Sequence, residues 1–102
     1  MVQVVENRTD LTARLVRTGP HPRLAGWDLA EVDVVGAEPV TGYADLLSGN
    51  VGQRLLLAVP SPLLADVAAG SVLRVRARLA APGEAMAEKN PAPGTFAVEP
   101  PS

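Results

Sequence analysis

The chain has no cysteine and no isoleucine, one lysine, one histidine and three aromatic residues among 102 positions. Without cysteine there is neither a disulfide framework nor a thiolate metal site, and cytosolic residence is the expectation. A single histidine leaves any metal site to carboxylates, and Asp28, Glu31 and Asp33 do not share one face of a strand. No cofactor is expected. No apolar run approaches the roughly 20 residues of a membrane span. The N-terminus, with Glu6 and Asp10 close behind Val2-Gln3-Val4-Val5, lacks the basic-then-apolar order of a leader peptide. No membrane partner is expected either, and the match of Asn7-Arg8-Thr9 to a glycosylation acceptor reads as chance.

Charge excludes little but advertises nothing. Eleven acids against nine bases give a net charge of −2, whereas sequence-independent nucleic-acid affinity rests on clustered excess cation. All bases but Lys89 are arginine. With isoleucine absent, that preference reads as coding bias, so it carries little weight as a phosphate signal. The hydrophobic fraction of 47% and the length point to one folded domain that buries roughly 60–70% of its unfolded surface.

What is present is mostly strand. Val2 to Glu6 reads as an edge strand. Leu11, Ala13 and Leu15 alternate with Thr12 and Arg14, the period of a half-buried strand that Thr18-Gly19-Pro20-His21-Pro22 then breaks. From Trp27 to Val35, Ala30, Val32 and Val34 face inward while Glu31 and Asp33 face out. Val40 to Leu47 is ambiguous between strand and helical turn, and Ser48-Gly49-Asn50-Val51-Gly52 is a turn. Leu55 to Val59 is apolar on both faces, as a central strand would be. Ser61 and Pro62 suit a helix start and Gly70 a helix end, with Leu63, Leu64, Val67 and Ala68 on the buried stripe. Val72 to Leu79 is the clearest strand, with Arg74, Arg76 and Arg78 between Leu73, Val75, Ala77 and Leu79. Ala81 to Gly94 loosens, with one helical turn expected at Glu84 to Glu88. Thr95 to Val98 makes the last strand, which leaves residues 1–98 as one domain and 99–102 as a disordered tail.

Strand, strand, strand, helix, strand, strand is the order of an OB-fold. The passage from Leu64 through Gly70 into Val72-Leu73-Arg74-Val75 resembles the helix-to-strand passage of single-stranded-DNA-binding OB proteins. The fold expected is therefore all-β, a small OB-like five-stranded barrel with one short helix between strands 3 and 4. The resemblance implies a binding face flanked by the loop after the first strand and the loop before the last. These would be Thr18 to Gly26, with His21 and Arg23, and Ala81 to Gly94, with Lys89 and Asn90.

Candidate chemistry is sparse. Arg74, Arg76 and Arg78 stand about 6.5–7 Å apart along one strand face, where a phosphate backbone or an acidic partner could lie. Glu31 and Asp33, on the outer face of a neighbouring strand with matching alternation, are the expected ion-pair partners of this row. Trp27, after a loop, is the best platform for stacking, although a lone tryptophan in a small β-domain is usually a core anchor. His21, between two prolines, lacks the residues that would make it catalytic. Ser48, Ser61 and Ser71 all have capping or turn explanations. The partner-binding set is His21, Arg23, Trp27, Arg74, Arg76, Arg78 and Lys89. The function expected is a non-catalytic binding module for a protein partner or a second copy, as an accessory subunit of a larger assembly. Apolar residues Val40, Tyr43, Leu46 and Leu47 offer an interface. Single-stranded nucleic-acid binding is the second reading, and a barrel enclosing a small ligand the third.

Overall fold

The computed structural model describes residues 6–101, so the strand expected at Val2 to Glu6 lies almost wholly outside the described residues. Six strands follow in order: β1 (Thr9–Pro20), β2 (Trp27–Pro39), β3 (Arg54–Pro60), β4 (Val72–Ala81), β5 (Glu84–Ala87) and β6 (Phe96–Glu99). The first five close on themselves. β1 pairs with β2, β2 with β3, β3 with β5, β5 with β4, and β4 returns to β1. Of the five pairings that close the barrel, only β3–β5 is parallel. The result is an all-β, five-stranded barrel, and β6 lies against the first half of β4, from Val72 to Val75.

Alternation places the core where the sequence period puts it. Leu11, Ala13 and Leu15 of β1, Ala30, Val32 and Val34 of β2, and Leu73, Val75 and Ala77 of β4 are all buried. Leu55, Leu57 and Val59 of β3 join them. Two bulges bend the β1–β2 hairpin enough to close the barrel. Val16 and Val35 have no opposite number in the pairing. The bulge at Val35 leaves that valine 45% exposed and reverses strand parity, so that Ala37 beyond it packs against the core.

Three sequence expectations are corrected. The segment Glu84 to Ala87 is not a helical turn but β5, the strand that completes the barrel. The last strand expected at Thr95 to Val98 is β6, an addition beyond the five. The helix expected from Ser61 to Gly70 is a single 3-10 turn, Ser61–Leu64, with no side-chain cap. Ser61 instead donates from its hydroxyl to Asp28 Oδ1 at 2.8 Å. Ala65 is extended and Asp66 left-handed, with φ of 62°, because Leu64 must drop into the end of the barrel, where it is buried. Gly70 does take the left-handed conformation, at φ 91°. It ends a turn, and its N–H donates to Leu15 O at 2.7 Å.

The opposite end is held by polar contacts. Asn7 is 2% exposed, and its Oδ1 accepts from the Leu79 N–H at 2.7 Å, which hides it from any glycosyl transfer. Asp45 Oδ1 accepts from the Thr9 hydroxyl at 2.8 Å and from the Ser48 N–H at 3.1 Å. That contact ties the 40–52 connection to β1 and buries Leu47 completely. Leu47 is therefore core rather than interface, whereas Tyr43 and Leu46 remain exposed.

Two outcomes follow. Leu57→Ala, at a fully buried site, should cost about 2–5 kcal/mol in a urea titration. Hydrogen bonds from Ser48, then Thr9, hold the Asp45 carboxyl below its ordinary value of 3.8. A depressed folded-state pKa contributes stability that is complete above the unfolded value and is lost as pH falls through the folded one. Wild type should therefore lose stability on acidification below about pH 4, and Asp45→Asn should flatten that loss in acid-titrated thermal melts.

Candidate functional site: the outer face of β2, β3, β5 and β4

The barrel interior is packed with leucine, valine and alanine side chains, so the residues available for recognition are those at outward positions. Cross-strand register lines them up. Leu29 of β2 stands opposite Ala58 of β3, Ala58 opposite Met86 of β5, and Met86 opposite Arg78 of β4. One apolar row thus crosses three strands and ends on a guanidinium. Beside it, Trp27 stands opposite Pro60, and on the other flank Glu31 stands opposite Leu56, which is 37% exposed. The apolar character of β3 on both faces is what the sequence displayed. Its second face points away from the barrel interior, with Leu56 exposed and Ala58 and Pro60 buried.

Two depressions meet at Met86: the smaller is lined by the whole row, Leu29, Ala58 and Met86, and the larger by Met86 alone of the three. The larger, a groove of about 490 Å³, is lined by Arg8, Trp27, Arg76, Arg78, Met86, Glu88 and Lys89 together with Ala77, Ala87 and Asn90. The smaller, about 240 Å³, lies between the β1–β2 loop and the β4–β5 turn and carries His21, Arg23 and Leu24. Four residues picked from sequence, Trp27, Arg76, Arg78 and Lys89, therefore meet in one groove. Arg74 does not join them. It lines a separate polar cleft with Asp10, Thr12 and Glu38 and lies 3.7 Å from Glu99. Trp27 is half-buried on the outside of the barrel and is not a core anchor.

Arg74, Arg76 and Arg78 project outward as alternation requires, but not toward the acids expected. Their strand neighbours are β1, β5 and β6, so Glu31 and Asp33 on β2 are out of reach. Those two acids pair with Arg17 and Arg54 instead. Arg76 makes two bonds to Asp10, at 2.8 and 3.1 Å, and that carboxylate, ahead of all other causes, raises its pKa. The Arg78 guanidinium makes one hydrogen bond among the described residues, to the Met86 thioether at 3.1 Å. Among the described residues neither Arg78 nor Lys89 meets a carboxylate.

Residues that sequence reasoning missed complete the groove. Arg8 bridges to Glu88 Oε2 at 2.9 Å while lying 4.5 Å over the Tyr43 ring, and the other oxygen, Glu88 Oε1, is buried with no hydrogen-bond partner among the described residues. Lys89 lies just past β5, in the connection that leads to β6, and the β4–β5 connection is only Pro82-Gly83. The sole usable signal for Leu29 and Met86 was outward parity on a strand, and β5 was not visible as one.

His21 has a local task. Its Nδ1 accepts from the N–H groups of Arg23, at 3.0 Å, and Leu24, at 3.1 Å. Its own N–H donates to Trp27 O at 2.9 Å. The ring therefore sets the loop that delivers Trp27 to the groove. Arg23 lies 3.8 Å from Glu84 across the small cleft. Among the described residues no three His, Asp or Glu side chains gather to hold a metal ion, and no helix is long and apolar enough to cross a membrane.

Comparisons with protein-family models, curated proteins and solved structures find no match to this chain.

The ion pairing separates structural from spare cations. Arg76→Ala should cost about 1 kcal/mol of stability by chemical denaturation, the worth of a well-aligned, partly shielded pair. Arg78→Ala and Lys89→Ala should each stay within about 0.5 kcal/mol.

Proposed function

We propose that this chain is a non-catalytic, OB-like binding module that docks a protein partner on the outer face of β2, β3, β5 and β4. The observation that carries the reading is the row Leu29–Ala58–Met86. It is an apolar strip on the outer side of the sheet, with Ala58 5% exposed between half-buried Leu29 and Met86, and with Leu56 exposed at its border. Sheet surfaces that need no partner carry polar residues at outward positions, and apolar surface rimmed by charge is typical of an interaction site.

Support for the OB-like character comes from the pairing pattern, with β1 closing on β4 and β3 running parallel to β5. OB barrels bind across the second and third strands, between the loops that follow the first strand and precede the fifth. In this chain those loops are His21 to Gly26 and Pro82-Gly83, and the apolar row lies between them. Fold alone does not confer function. The row does the arguing.

Single-stranded nucleic acid is the second reading, favoured by Trp27 sharing a groove with Arg76, Arg78 and Lys89. Against it stands the count of rings. Phe96 packs on the core and Tyr43 lies under Arg8, leaving one ring where such binding uses several. A third reading, a ligand held inside the barrel, has no support from an interior packed with leucine and valine.

Affinity isolation from the native cell tests the proposal, with wild type and Met86→Glu as baits of matched circular dichroism. A partner retained by wild type and lost by the variant is expected. Equal retention, or none by wild type, contradicts it.

A further inference from the structure

We propose that the occupant of the Trp27 groove is an extended acidic peptide segment, its carboxylates on Arg78 and Lys89 and one apolar side chain between Trp27 and Met86. This deepens the docking-face reading and rests on it. Charge complementarity argues for it. Of the four cations lining the groove, Arg8 is committed to Glu88 and Arg76 to Asp10. Arg78 and Lys89 are exposed and, among the described residues, have no acid to meet. An acidic segment would complete both pairs at the rim, where charge governs approach and choice of partner more than tightness.

Glu88 bounds the groove and is held there by Arg8 through Oε2 at 2.9 Å. The occupant must bring negative charge to Arg78 and Lys89 and an apolar group to the space that Trp27 and Met86 line. An extended peptide supplies both, because acidic and apolar side chains can follow one another along it. A phosphodiester strand brings charge without an aliphatic side chain to set against Met86. The occupant cannot extend the sheet, since β5 is paired on both edges, with β3 and with β4. It lies across the outer face, held by side chains.

The chain has one tryptophan, and it lines the groove, so its fluorescence reports occupancy. Three probes suffice: a capped peptide with Asp and Glu flanking a central Leu, its counterpart with Lys at every acidic position, and oligothymidylate. The acidic peptide should give a saturable change in emission, weakened by added salt. Arg78→Glu and Lys89→Glu should each weaken it by about tenfold, the scale of one charge-assisted bond. An equal or stronger response to the lysine peptide overturns the acidic occupant while leaving the face as a peptide-docking surface. A response to oligothymidylate alone overturns both. Silence with all three probes, while Met86→Glu still loses the native partner, overturns the acidic segment and not the docking face.

Discussion

Everything on the outer surface depends on one short pairing, the insertion of Glu84–Ala87 between β3 and β4. Three residue pairs join β5 to β3, and the antiparallel pairs from Ala77 to Ala81 join it to β4. Ala85 and Ala87 enter the core with side chains small enough to let the two walls approach. Met86, between them, must then point outward. Without this strand the barrel would be open, Leu57 and Leu79 would face water, and no apolar row would run from Leu29 to Arg78.

Topology also decides the electrostatics. A row of arginines on β4 and a pair of acids on β2 look complementary in one dimension, but the closed barrel seats β1 between them on one side and β3 with β5 on the other. The acids of β2 are taken by Arg17 and Arg54, and β4 finds Asp10 and Glu99 on β1 and β6. The ends of the arginine row are thus treated differently. Arg74 and Arg76 lie beside acids, while Arg78, at the boundary of the apolar row, does not. Exposed pairs of this kind contribute little to stability. Their consequence is a choice of which cations remain free beside Trp27.

Much of the barrel was legible because strands buried on one face must alternate. Leu73, Val75 and Ala77 against Arg74, Arg76 and Arg78 admit no other reading, and Ala30, Val32 and Val34 nearly none. β5 was not legible. Glu84-Ala85-Met86-Ala87 is built from good helix formers, and only its two neighbours make it extended. The turn after β3 failed for the converse reason. Ser61, Pro62 and Gly70 are proper helix punctuation, yet the burial of Leu64 at the barrel end breaks the helix after four residues. At the groove, Trp27 and the cations were visible as residue types. Their convergence was not, because Lys89 and Trp27 are brought together only through β3 and β5. Glu88 and Arg8 carried no signal at all, since an ion pair 80 residues apart in sequence leaves no local pattern.

The account is tested most directly by nuclear Overhauser contacts of the 84–87 segment. Cross-strand contacts from Ala85 and Met86 to Leu57 and Ala58, with the Met86 methyl near the Trp27 indole, are the predicted result. Contacts three residues apart within 84–88, with none to Leu57 or Ala58, would make the segment a helical turn and contradict both the closed barrel and the docking face proposed on it.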